Sequence, residues 1–239
     1  MKRILFSFFL MLFVSASSFA ADSADIIVVL DQSGSITGNL PVIKEYVKQS
    51  IFKKVAKEGD TVYLFAFDGK FHVITSLKGN ATDAEIDAAL VTINPVGWFT
   101  DLTNAVESMR VFVQQNCDPK KKKVVFFLTD GINDPPSFSP YKEGLQHRFF
   151  TESKKEVNAG GWKVFVTGIG EKTDAANVAN LVGADYVELS SKPTLSEFDQ
   201  KLTGRLKEAR TGFWKWFFII SGGVAAVLGG GVYFFVARR

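Results

Sequence analysis

Apolar runs of strand length alternate along this chain with stretches of helical period. Residues 26–30, 62–67, 124–128 and 164–169 are rich in β-branched and aromatic side chains and apolar on both faces, the pattern of strands covered from two sides. Between them, residues 40–55, 104–115, 144–157 and 175–182 place apolar residues three and four apart, as Val106, Met109 and Val113 do, which predicts helices with one buried stripe. A short strand over 185–189 and a helix over 195–210 complete the series, the helix announced by Thr194 with Glu197 three residues on. Phe67-Asp68-Gly69-Lys70-Phe71 leaves no room for a crossover helix, so residues 71–76 read as an antiparallel hairpin strand at a sheet edge. The alternation predicts an α/β fold: Rossmann-like, doubly wound, with a mostly parallel six-stranded sheet, one antiparallel edge strand and helices on both faces.

Both ends of the chain break this pattern. Lys2 and Arg3 precede an apolar stretch over 4–14 and a small-residue segment over 15–21, which predicts a signal peptide over 1–20 with cleavage after Ala20. Residues 213–236 carry Lys215 as their only charge and are long enough to cross about 30 Å of hydrocarbon, with Trp214, Trp216 and Tyr233 near the ends and Arg238 and Arg239 closing the chain. A transmembrane helix over 213–236 and a cytoplasmic tail over 237–239 are expected. The basic residues before the span run against the positive-inside rule, but a signal peptide commits the domain that follows it to translocation. The expectation is therefore a single-pass membrane protein with its N-terminal domain outside, periplasmic or extracellular, and its C-terminus in the cytoplasm.

Composition narrows the picture. Of 239 residues, 28 are Lys or Arg and 25 Asp or Glu, a net charge of +3 that is too mild to suggest nucleic acid. Cys117 is the single cysteine, which excludes an intrachain disulfide and reads as a buried hydrophobe. Lys120 to Lys123 form the only charge run, read as a solvated loop before a strand and, on connectivity, as part of the membrane-proximal face.

The candidate chemistry lies at the carboxyl ends of the strands, where open parallel sheets form their sites. Asp31-Gln32-Ser33-Gly34-Ser35 follows the first apolar run, and its carboxylate and two hydroxyls suit a small hard divalent cation held by oxygen. Asp130, in Thr129-Asp130-Gly131, ends the strand over 124–128, and Thr100 lies in a loop that feeds a helix.

Together these strings resemble the von Willebrand factor A family, also called the integrin I-domain fold. The D-x-S-x-S string, Thr100 five residues before Ala105, and the T-D-G string occur in the order of that family's metal-ion-dependent adhesion site, and the resemblance covers roughly residues 25–210. It implies that Ser33, Ser35 and Thr100 offer hydroxyl oxygens to Mg²⁺ or Mn²⁺, with Asp31 and Asp130 acting directly or through water. Two carboxylates balance the dication, so the site is expected to accept an Asp or Glu oxygen from a protein partner.

Where the family commonly has small residues before the threonine, this chain has Trp98 and Phe99, which either pack beneath the loop or stand at the rim as partner contacts. The insert 133–141, stiffened by three prolines, brings Phe138 and Tyr141 to the same rim as further candidate contacts. Asp101 and Thr103 read as ordinary helix-start residues. The expected function is adhesion or complex assembly by an anchored binding module, without a small-molecule substrate. A metal-assisted hydrolase, or an accessory subunit of an envelope complex working with an AAA+ ATPase, are the alternatives; no His, Cys or Lys base accompanies the ligand set.

Overall fold

The computed structural model describes residues 23–143, 147–169 and 174–209. The expected signal segment 1–20 and membrane span 213–236 lie outside these residues, and among the described ones no helix is long and apolar enough to cross a membrane.

Six strands form one sheet: β1 (Ala24–Asp31), β2 (Thr61–Phe67), β3 (Phe71–Lys78), β4 (Lys122–Thr129), β5 (Lys163–Ile169) and β6 (Asp185–Leu189), in the order β3-β2-β1-β4-β5-β6. All neighbours are parallel except the β2–β3 hairpin, whose antiparallel strand lies at the edge as the Asp68-Gly69 turn requires. The chain leaves β1 toward β2 and later returns to β1's other side as β4. Strand order therefore reverses there, and a crevice opens beyond the carboxyl ends of β1 and β4.

Period-two alternation divides the strand residues between two cores. Ile26, Val28, Leu30, Phe126 and Leu128 face α1 (Leu40–Tyr46, prolonged by π-helical turns over Val47–Val55) and α6 (Leu195–Phe198, prolonged likewise over Asp199–Thr203). There Tyr46 stacks on Phe198 with ring centroids 4.6 Å apart. Ile27, Val29, Phe65, Val125 and Phe127 face α3 (Leu102–Asn116), α4 (His147–Ala159) and α5 (Asp174–Val182), with Cys117 buried on this side. Every residue of β1 is buried, which explains its unbroken apolar run.

Two features depart from the sequence reading. A further helix, α2 (Asp83–Val91), follows β3 and was not expected. Its apolar stripe is short, but Thr82 and Glu85 form a reciprocal capping box, and a Thr with a Glu three residues on also marks the start of α6. The lysine run is also not simply a solvated loop. Lys123 lies buried in β4 with its Nζ 3.1 Å from the fully buried Asp25 carboxylate, and Lys121 binds the Gly59 carbonyl at 3.0 Å. An isolated Asp25 would be costly to bury, so two of the four lysines serve the fold.

The last described helix ends beside the start of the sheet. Arg205, Glu208 and Ala209 share a cleft with Lys163 and Asp185, the first residues of β5 and β6, at the edge opposite the crevice.

Candidate functional site

Asp31 ends β1 and is fully buried beneath the crevice. Its Oδ1 accepts a hydrogen bond from the Ser33 N–H at 2.8 Å and its Oδ2 one from the Thr129 hydroxyl at 2.7 Å. Burial pushes its carboxyl up to about 6, with the neighbouring Asp130 adding to the effect and the Ser33 and Thr129 hydrogen bonds opposing it. The alternation of β1 and β4 places Asp31 and Thr129 on the same face of adjacent strands, which is how residues so distant in sequence meet.

Past Asp31 the chain turns through Ser33, and the Ser33 and Ser35 hydroxyls lie 3.0 Å apart. The turn is held by the loop before α3: the Gly34 N–H donates to the Gly97 carbonyl at 2.7 Å. That approach requires a glycine, because a Cβ on Gly97 would come within 2.2 Å of the Asp68 Cβ. Thr100, buried three residues later, pairs with Asp134 through two backbone hydrogen bonds of 2.9 and 2.8 Å. Asp130 is 8% exposed at the end of β4, accepts from the Ile132 N–H at 3.2 Å, and is followed by Gly131 at φ 80°, where the chain turns away.

Ser33, Ser35 and Thr100 thus meet on one cavity of about 410 Å³, which Val96, Trp98, Ile132 and Asp134 also line. Asp31 and Asp130 are not among its lining residues, but each bonds the N–H of one that is, Asp31 that of Ser33 and Asp130 that of Ile132. Trp98 does not pack beneath the loop: it is 92% exposed, with Phe138 at 68% and Phe99 at 40%, while Tyr141 is half-buried. Asp101 caps α3 by accepting from the Asn104 N–H at 3.0 Å, and the Ser139 hydroxyl bonds its other oxygen, fastening the insert to the helix.

Three supporting residues escaped the sequence reading. Thr129 stands within the T-D-G string but orients Asp31 rather than following it passively. Asp68 accepts from Gln32 Nε2 at 3.1 Å and from the Lys70 N–H at 2.8 Å, while its carbonyl takes the Asp101 N–H at 2.8 Å, so the hairpin turn clamps both loops. Asn133 accepts from the Leu102 N–H and donates its own N–H to Asp174. Only the D-G turn signal at Asp68 was available in advance.

The sequence model of the von Willebrand factor type A domain matches residues 26–133, which hold all five residues of the candidate ligand set. Residues 26–133 are thus identified with a von Willebrand factor type A (VWA) domain. A protein of Treponema pallidum (strain Nichols) is 26% identical over 129 residues, covering 52% of this chain and 57% of that protein. Among solved structures, a von Willebrand factor type A protein from Catenulispora acidiphila superposes with a TM-score of 0.61 at 16% identity, covering 79% of this chain and 43% of that one. Proximal thread matrix protein 1 from the mussel byssus, with a zinc-occupied MIDAS motif, superposes at 0.55 and 19% identity, covering 78% and 48%. This chain spans less than two thirds of each of these relatives, and at such identities the superpositions speak to the fold.

The candidate donors Asp31, Ser33, Ser35, Thr100 and Asp130 offer only side-chain oxygens. Among the described residues, no three His, Cys, Asp or Glu side chains gather as a metal cluster, so a cation here would rely on the Ser and Thr hydroxyls. The residues fit that role: neighbouring ligands of an octahedral cation with bonds of about 2.1 Å lie about 3 Å apart, the separation of the Ser33 and Ser35 oxygens.

Proposed function

We propose that this VWA domain is a binding module that captures an acidic side chain of a protein partner at a divalent cation held by Asp31, Ser33, Ser35, Thr100 and Asp130. The observation that carries the reading is the convergence of two serine hydroxyls 3.0 Å apart and a buried threonine on one open cavity backed by a buried aspartate. Hard oxygen donors favour Mg²⁺ or Mn²⁺ over softer metals; the byssus protein's MIDAS holds zinc, which supports divalent binding by this type of site. A bound dication supplies an electrophilic position for a carboxylate oxygen. Asp31, held on both oxygens, fixes Ser33, and the Thr100–Asp134 pairing fixes the third hydroxyl. VWA domains generally serve protein interaction, and Trp98, Phe99, Phe138 and Tyr141 supply a rim of aromatic contacts of the kind that anchors interfaces.

The sequence adds an anchor to this reading. With residues 1–20 as a signal and 213–236 as a membrane span, the domain lies outside the membrane. In this reading the cation site faces away from the membrane, an orientation supported by the last described helix ending at the strands' amino edge, three positions of sequence before the expected span.

The test is capture of partners by the wild-type chain and by Asp31→Ala, each in Mg²⁺ and in EDTA. The reading expects one set of partners retained by the wild type in Mg²⁺ and released by both changes. Partners held equally in EDTA would refute it.

A further inference from the structure

The last described helix changes character toward its end. It buries Phe198, Leu202 and Leu206 completely against the sheet. In its closing turns Arg205, Glu208 and Ala209 stand at positions i, i+3 and i+4, one face of a helix, and they line a cleft of about 400 Å³ with Lys163, Phe165 and Asp185. The strand side of the cleft is equally ordered. Period two puts Lys163 on the face of the buried Phe165, and the β5–β6 register sets Asp185 beside Phe165.

Two cations and two anions thus share one gap, and none of the four side chains has a hydrogen bond or ion pair among the described residues. Earlier in the same helix such groups do pair: Lys201 meets Glu197 at 2.9 Å, and Asp199 meets Lys54 at 2.5 Å. An anion alone entering the cleft would face Asp185 and Glu208, and a cation alone would face Lys163 and Arg205. A small ligand that carries both signs satisfies all four.

The place of the cleft narrows the choice. Ala209 stands four residues before Phe213, where the expected span begins, a reach of at most about 14 Å for extended chain. The polar layer of a bilayer is roughly 5–8 Å deep on each side, so headgroups lie within that reach. Resting on the membrane-anchor reading, we propose that this cleft binds a lipid headgroup bearing a phosphate and a primary ammonium, a phosphoethanolamine. The phosphate goes to Lys163 and Arg205, and the ammonium, with three N–H donors, goes to Asp185 and Glu208. A quaternary choline ammonium offers those carboxylates no donor, so the cleft distinguishes the two zwitterionic headgroups. Occupancy fixes the amino edge of the sheet against the membrane surface.

The experiment uses the full chain in detergent, with lipid retention read by native mass spectrometry. Phosphatidylethanolamine and phosphatidylcholine of matched acyl chains, and soluble glycerophosphoethanolamine, are added in turn. The wild type is expected to hold the ethanolamine lipid about fivefold more tightly than the choline lipid. Asp185→Asn combined with Glu208→Gln should reduce the ethanolamine lipid to the level of the choline lipid and leave the latter unchanged. Lys163→Gln combined with Arg205→Gln should weaken both, and neither pair should alter the melting temperature. Equal retention of the two lipids by the wild type, or a preference that the Asp185 and Glu208 variant keeps, overturns this inference alone. Tighter binding of glycerophosphoethanolamine than of the lipid would make the ligand a soluble one and overturn the lipid assignment. Release of the chain from membranes by alkaline carbonate would overturn the anchor reading and, with it, the bilayer as the source of the headgroup.

Discussion

The Thr129 hydroxyl donates to Asp31 Oδ2 at 2.7 Å, joining the ends of two neighbouring parallel strands across 98 positions of sequence. Asp31 is held on its other oxygen by the Ser33 N–H, so its carboxylate has a fixed orientation before any ligand arrives. Thr129→Val keeps the shape and removes the donor. A hydrogen bond to a charged group contributes about 1.5–3 kcal/mol, so Mg²⁺ or Mn²⁺ affinity should fall about tenfold or more, measured by calorimetry. An unchanged affinity would show that Asp31 needs no such support.

Gly97 sits where the Ser33 turn, the loop to α3 and the hairpin turn converge. Gly97→Ala would drive a Cβ to within 2.2 Å of the Asp68 Cβ, and neither backbone can yield without disturbing the Gly34 and Asp101 hydrogen bonds. The expected cost is about 1–3 kcal/mol of stability. Thermal melting should show this loss together with weakened cation binding; a variant with both unaltered would mean the loop tolerates displacement.

The buried Asp31 carboxyl, pushed up to about 6 from 3.8 chiefly by burial, makes metal binding depend on pH. The folded chain holds this proton more tightly than the unfolded chain does. The metal-free domain therefore loses stability from this group as pH rises from about 4 to about 6, up to about 3 kcal/mol, and the deficit is constant above. A dication competes with that proton. The rise in Tm on adding Mg²⁺ should be larger at about pH 7 than at about pH 5, and equal rises would contradict the assignment of Asp31 to the site.

Trp98 is 92% exposed and shares the cavity with the hydroxyl donors. Trp98→Ala should leave melting temperature and cation affinity unchanged while weakening partner capture by about 2 kcal/mol, the usual scale for an interface anchor. Undiminished capture would assign the contacts to the Phe138 side of the rim.

Local pattern reaches its limit at a few identifiable places. The strands and most helices were legible because burial imposes periods of two and 3.6 on the residues themselves. Helix α2 escaped because its buried stripe is only Ile86, Ala89 and Leu90, although its capping box was readable. The lysine run was misread as solvated because nothing near it in sequence announces Asp25, which becomes its partner only when β1 and β4 pair.

By itself, the sequence determined the α/β alternation, the hairpin edge, and the identity of Asp31, Ser33, Ser35, Thr100 and Asp130 as candidate oxygen donors. Those are properties of short segments, set by periodicity and by which atoms a side chain carries. Tertiary structure alone decided that Thr129 holds Asp31, that Gly97 must lack a side chain, and that Trp98 faces solvent. Each of these depends on the register of β1 against β4 and on the loops beyond them. That register arises from burial summed over the whole sheet, so no single segment encodes it.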